Sequence, residues 1–171
     1  MPTAHSAMTA PRTCTGCLGA WKRCTGAAAW LQSPFLLAVR LYWGWQFAAT
    51  GWGKLHHLAR VTEFFASLGI PFPGLNAPFV AGLEFAGGIL LVLGLASRPV
   101  ALLLAADMAV AYLTADREAL FALFSDPGKF YAAAPYTFLF ASVIVLIYGA
   151  GALSVDRLLA NRFNDGTGGS Q

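Results

Sequence analysis

The sequence is short of charge. Of its 171 residues only 11% are Asp, Glu, Lys or Arg, against about 25% in an ordinary soluble domain. Such a chain cannot clothe a globular surface in water. The 11 basic and 8 acidic residues leave a formal charge of +3, and no dense basic run is present, which excludes nucleic acid as a partner. Cysteine is scarce: Cys14, Cys17 and Cys24 all fall near the N-terminus. Cys14-x-x-Cys17 lacks the strand-to-helix setting of a thioredoxin-like motif, and four zinc ligands are not at hand, so no role is assigned to these thiols. His56-His57 has no third ligand in view, and no metal site is expected. A phosphate-cradling glycine loop, a nucleophile elbow and facing histidines for haem are also missing.

What is present is apolar length. Hydrophobic residues make up 57% of the chain. A bilayer core of about 30 Å needs about 20 apolar helical residues. Four stretches qualify: Pro34 to about Gly53, Ala77 to Ala96, Pro99 to Ala115, and Pro135 to Leu153. No alternating strand pattern competes, so helices are the means of satisfying the backbone in lipid. The fold class expected is all-α, a four-transmembrane-helix bundle. Ser33-Pro34 has the form of an N-cap followed by proline at the first helical position, and Asn76 stands before Ala77-Pro78 in the same way. Ser97-Arg98-Pro99 is too short a link for anything but an antiparallel hairpin of the second and third spans. Trp43, Trp52, Tyr131 and Tyr136 lie near span ends, as interfacial aromatics do.

Between the first two spans, Leu55, Leu58, Val61, Phe65 and Leu68 recur at helical spacing opposite His56, His57, Arg60 and Glu63, which predicts a short amphipathic helix lying in the interface. Residues 1–32 and 164–171 are rich in Thr, Ala, Gly and Ser and are expected as mobile tails around a membrane domain at 33–163. With the N-terminus inside, Arg12, Lys22, Arg23, Arg98, Arg157 and Arg162 face the cytoplasm, six against the four of Lys54, Arg60, Arg117 and Lys129. That bias sets both termini in the cytoplasm of a multi-pass membrane protein.

Three ionisable residues fall inside spans, where each is costly: Arg40, Glu84 and Asp107. At about 1.5 Å per residue, Arg40 and Asp107 lie roughly 9 and 12 Å from the inner face, while Glu84 lies roughly 10 Å below the outer one. Depth therefore pairs Arg40 with Asp107 and leaves Glu84 without a partner. Such a pair also has a plain structural use in fixing helix register. Lys54, at the end of the first span, is expected as a snorkelling anchor. Arg40, Gly44, Phe47, Gly51 and Lys54 share one helix face, and Glu84, Gly88 and Leu91 share another with Gly87 beside them. Small residues there let helices approach closely.

Those two faces carry a resemblance. Arg40-Leu-Tyr-Trp-Gly44, Phe47, Gly51 and Lys54-Leu55, then Phe64 to Pro71, then Glu84-Phe-Ala-Gly87-Gly88 with Gly94-Leu95 and Arg98, resemble the DoxX family in order and spacing across about Phe35 to Leu153. The resemblance implies a bacterial four-span inner-membrane protein that serves as a small subunit or partner of redox systems, in quinone-linked sulfur oxidation or in oxidative-stress defence with soluble enzymes. It carries over Arg40, Gly44, Gly51, Lys54, Glu84, Gly87 and Gly88; Asp107 is not among those positions. Quinone is the one cofactor it suggests, and the partners are the bilayer, redox subunits and other copies of the chain. Whether the chain is itself catalytic is left open. Two other functions compete: a small transporter or proton pathway, and a scaffold that docks soluble enzymes.

Overall fold

A computed structural model describes the backbone of residues 15–159 and 162, with side chains from Leu31 onward in that range. The expectations for the Cys14, Cys17 and Cys24 thiols and for the tail 164–171 lie outside it. The chain divides into two compact units, residues 1–32 and 33–171, and the second holds the packed core. The helices in order are α1 (Thr15–His56), α2 (Leu58–Ser67), α3 (Pro73–Leu93), α4 (Ser97–Thr114), α5 (Arg117–Phe121), α6 (Pro127–Ala132) and α7 (Pro135–Tyr148). Residues 155–159 add a short helical turn, and no strand occurs among the described residues.

Two of the four expected spans correspond to helices long and apolar enough to cross a membrane: α3, with 21 residues, and α4, with 18. The fourth expected span holds α7, which is apolar but has 14 residues. The first expected span does not begin at Pro34. Helix α1 starts at Thr15 and runs through that proline. Ala27, Ala28, Ala29 and Leu31 are strong helix formers, and they carry the helix past a residue that removes one internal hydrogen bond. The amphipathic stretch after the first span is helical as expected, but α2 begins at Leu58, beyond a break at His57.

The turn between α3 and α4 is held by a carboxylate from far along the chain. Gly94 closes α3 in the left-handed region at φ 70°. Ala96 precedes α4 at φ 48°, a conformation that costs a non-glycine residue about 1–2 kcal/mol. Asp156, far along the chain, offsets that cost. Its Oδ1 accepts the Ala96 N–H at 2.7 Å and its Oδ2 the Ser97 N–H at 3.0 Å. Two donors left over at the helix start are thereby satisfied, and a negative charge sits at the positive end of α4.

The core is a single apolar cluster built on Phe47, Leu91, Val100, Ala101, Leu104, Met108 and Val145, drawn from α1, α3, α4 and α7. The outward faces are apolar as well. Trp45 is 70% exposed, Leu103 53% and Phe140 56%. Large apolar residues inside and outside together suit a helix bundle whose solvent is lipid.

Candidate functional site

Glycine sets how close α1 comes to α3. A Cβ on Gly44 would stand 2.9 Å from the Gly88 carbonyl oxygen, and one on Gly51 would stand 2.8 Å from that of Ala81. One on Gly88 would run into the backbone of Ala48. Backbone cannot yield as a side chain can, so the absence of Cβ is what permits this contact. Gly87 is less constrained: its neighbour is the Leu104 side chain on α4. The shared glycine faces read from the sequence thus meet.

The close approach carries the charged residues into the bundle, but their pairing is not the one expected. Arg40 is 1% exposed and does not pair with Asp107. Its Nε donates to the Leu91 carbonyl at 3.0 Å, Nη2 to that of Val92 at 3.3 Å, and Nη1 to those of Leu153, at 3.1 Å, and Ala150. The guanidinium therefore supplies the Val92 carbonyl, one that a helix end leaves over, adds to the Gly94 N–H at that of Leu91, and ties both to the segment after α7. Cations are favoured at that end of a helix. Gly94 makes room for it, because a Cβ there would collide with the guanidinium. Asp156, already holding the start of α4, is the carboxylate whose charge acts on Arg40.

Glu84 is not alone. Lys54, expected as a surface anchor, turns inward and its Nζ lies 2.6 Å from Glu84 Oε1, with side chains 34% and 2% exposed. Asp107 comes in from α4 beside them: its charged neighbours are Glu84 and Lys54. Glu84 Oε2 and Asp107 Oδ2 are both buried and have no hydrogen-bond partner among the described residues. The sequence contained the signal for this meeting. Counted from the tight α3–α4 turn, Glu84 is nine residues before Leu93 and Asp107 ten residues after Ser97. Antiparallel neighbours at equal distance from a shared turn are at equal depth. Counting instead from two opposite membrane faces placed them apart.

Beside the cluster is an aromatic edge. The Trp52 ring lies 5.4 Å from Phe85 and 4.3 Å from His56, centroid to centroid, and Trp52 is 54% exposed. Deeper in the bundle, Phe47 stands on α1 between Arg40 and Lys54, and with Leu91 and Leu104 it forms an apolar layer at most 2% exposed. His56 and His57 each bond a backbone carbonyl one turn back. No group of three or more metal-ligating side chains occurs among the described residues.

A chain helical and without strands among its described residues, with apolar outer faces and a partly buried ammonium–carboxylate pair, belongs to the class of integral membrane proteins. Residues 35–117 match the DoxX family model. It is also 28% identical over 134 residues to the inner membrane protein YqjF of Escherichia coli strain K12, an alignment covering 78% of this chain and 98% of that protein. No solved structure matches the chain.

Proposed function

We propose that the chain is the inner-membrane subunit of a quinone-linked redox assembly, with Lys54, Glu84 and Asp107 as the group that supplies protons to the quinone head. On this reading α1, α3, α4 and α7 are four spans, with both termini in the cytoplasm. One observation carries it: two buried carboxyl oxygens, from different helices, have no partner and lie beside a single ammonium. Two carboxylates and one ammonium sum to a charge of −1, which is expensive in an apolar interior. One proton held between Glu84 and Asp107 makes the group neutral and gives a partner to both orphan oxygens.

Reduction of a quinone to a quinol takes two electrons and two protons. The electrons are those of a partner redox protein. The protons must reach an apolar depth, and there a stored proton on a carboxyl pair, refilled past the half-exposed Lys54, meets the need. The exposed Trp52 face beside Phe85 offers a flat surface on which a quinone ring arriving from lipid can stack. A through-membrane proton path is less well served. The buried layer of Phe47, Leu91 and Leu104 separates the cluster from Arg40, whose donors are committed to carbonyls.

The test is quinone binding and reduction by the protein purified in lipid with its co-purifying partners. Wild type should bind and reduce quinone. Glu84→Gln and Asp107→Asn should keep the fold and lose about 10²-fold or more in rate, the usual share of a positioned proton donor. Clean protein with its partners that neither binds nor reduces quinone refutes the proposal. So does an unchanged rate in Glu84→Gln.

A further inference from the structure

At the opposite end of the bundle from Lys54, where the α3–α4 turn meets the segment after α7, lies an open cavity of about 310 Å³. We propose that it binds the headgroup of an anionic phospholipid, held by Arg98 and Arg157. This inference does not rest on the redox reading.

Charge balance is the first support. Four ionisable residues gather at this end: Arg40, Arg98, Asp156 and Arg157. Both oxygens of Asp156 are taken by the Ala96 and Ser97 N–H groups, and its charge is set against buried Arg40. Arg98 and Arg157 are exposed, and neither forms an ion pair among the described residues. Two uncompensated guanidinium groups therefore line one cavity, each with planar donors suited to phosphate.

The seat of Arg98 is built. Gly149 holds φ 77° and ψ −164°, and a Cβ there would come within 3.3 Å of Arg98 Nε. A side chain there would press on the guanidinium and displace it by a few tenths of an ångström, so glycine leaves Arg98 its place over the loop. The surroundings then favour a lipid over a free anion. Tyr148 lines the cavity, and it and Ile147 are 57% and 62% exposed, continuing the apolar outer face of α7 up to the cavity. Leu153 and Leu158, at 56% and 68%, extend the apolar surface around it. Acyl chains lying on that surface bring a phosphate to the two arginines. A basic pocket at the rim of a membrane helix is a recognised form of headgroup site.

The full chain, delipidated in detergent, is titrated with phosphatidylglycerol, with phosphatidylcholine and with inorganic phosphate, and its thermal midpoint is followed. Phosphatidylglycerol should raise the midpoint by about 5 °C or more at saturation, and native mass spectrometry should find it retained. Phosphatidylcholine and inorganic phosphate should do neither. The double variant Arg98→Gln/Arg157→Gln should lose the response, whereas Arg60→Gln, an exposed arginine on α2, should keep it. Arg157→Gln alone, at an exposed position outside the α3–α4 turn, should weaken retention even if the double variant fails to fold. Equal stabilisation by phosphatidylcholine, or retention unchanged in both arginine variants, overturns the proposal. An equal effect of inorganic phosphate overturns the assignment to lipid.

Discussion

Replacing Arg40 by Met is the most informative change to the fold. The side chain keeps most of its length and loses all five donors. Four carbonyls then lose this donor: Leu91, which keeps the Gly94 N–H, and Val92 at the end of α3, and Ala150 and Leu153 beyond α7. A hydrogen bond to a charged group contributes about 1.5–3 kcal/mol. A plain sum overshoots, because the segment after α7 can turn its carbonyls to water and because four bonds to one group do not add. Leaving a buried acceptor unpaired costs about 1–3 kcal/mol, and because the Asp156 charge also loses its counter-charge, a total of about 3–5 kcal/mol is adopted. For a chain of this size each kcal/mol is worth about 2–4 °C, so the thermal midpoint in detergent should fall by roughly 6–20 °C. Arg40→Lys should recover part of the loss, since a point charge with three donors cannot span both segments. A midpoint within about 2 °C of wild type for Arg40→Met would show that the guanidinium does not hold α3 to the α7 end.

Asp107→Asn should leave stability within about 1 kcal/mol of wild type or raise it, because it removes a carboxylate from a cluster with too many; a loss as large as that of Arg40→Met in the same assay would restore the Arg40–Asp107 pairing. Gly51→Ala and Gly88→Ala should each destabilise by about 1–3 kcal/mol by overpacking against backbone. Gly53→Ala, where a Cβ meets nothing within 4 Å, should be neutral or stabilising by about 0.5–1 kcal/mol, and unfolding of the three variants side by side checks both. A double-mutant cycle on Lys54→Met and Glu84→Gln should return a coupling of about 0.5–3 kcal/mol; zero coupling would mean that the pair is not formed in solution.

The helices were legible because prolines and glycines punctuate them. Pro135 and the Ser97-Arg98-Pro99 link mark a helix start and a hairpin, whereas α3 runs from Pro73 to Leu93, so it starts ahead of the expected Asn76 cap, carries Pro78 inside its first turns, and stops at Gly94 short of the expected Ala96. The glycine faces were legible too, since a helical repeat of small residues has one evident use. Pro34 misled, because a local N-cap pattern competed with helix formers preceding it. The charge partners were misread for two different physical reasons. Glu84 and Asp107 are joined by a turn, and residues counted from that turn give their common depth. Arg40 bonds only backbone carbonyls, which every residue carries and no sequence pattern advertises. Asp156 escaped notice for a similar reason: the N–H groups it holds lie 59 and 60 residues away.

The central claim is that one proton resides between Glu84 and Asp107. Infrared spectroscopy of the lipid-reconstituted protein at neutral pH tests it most directly. The account predicts a carbonyl-stretch band of a protonated carboxyl that shifts in D₂O and disappears in both Glu84→Gln and Asp107→Asn. Absence of that band in wild type, or its survival in both variants, would contradict the account.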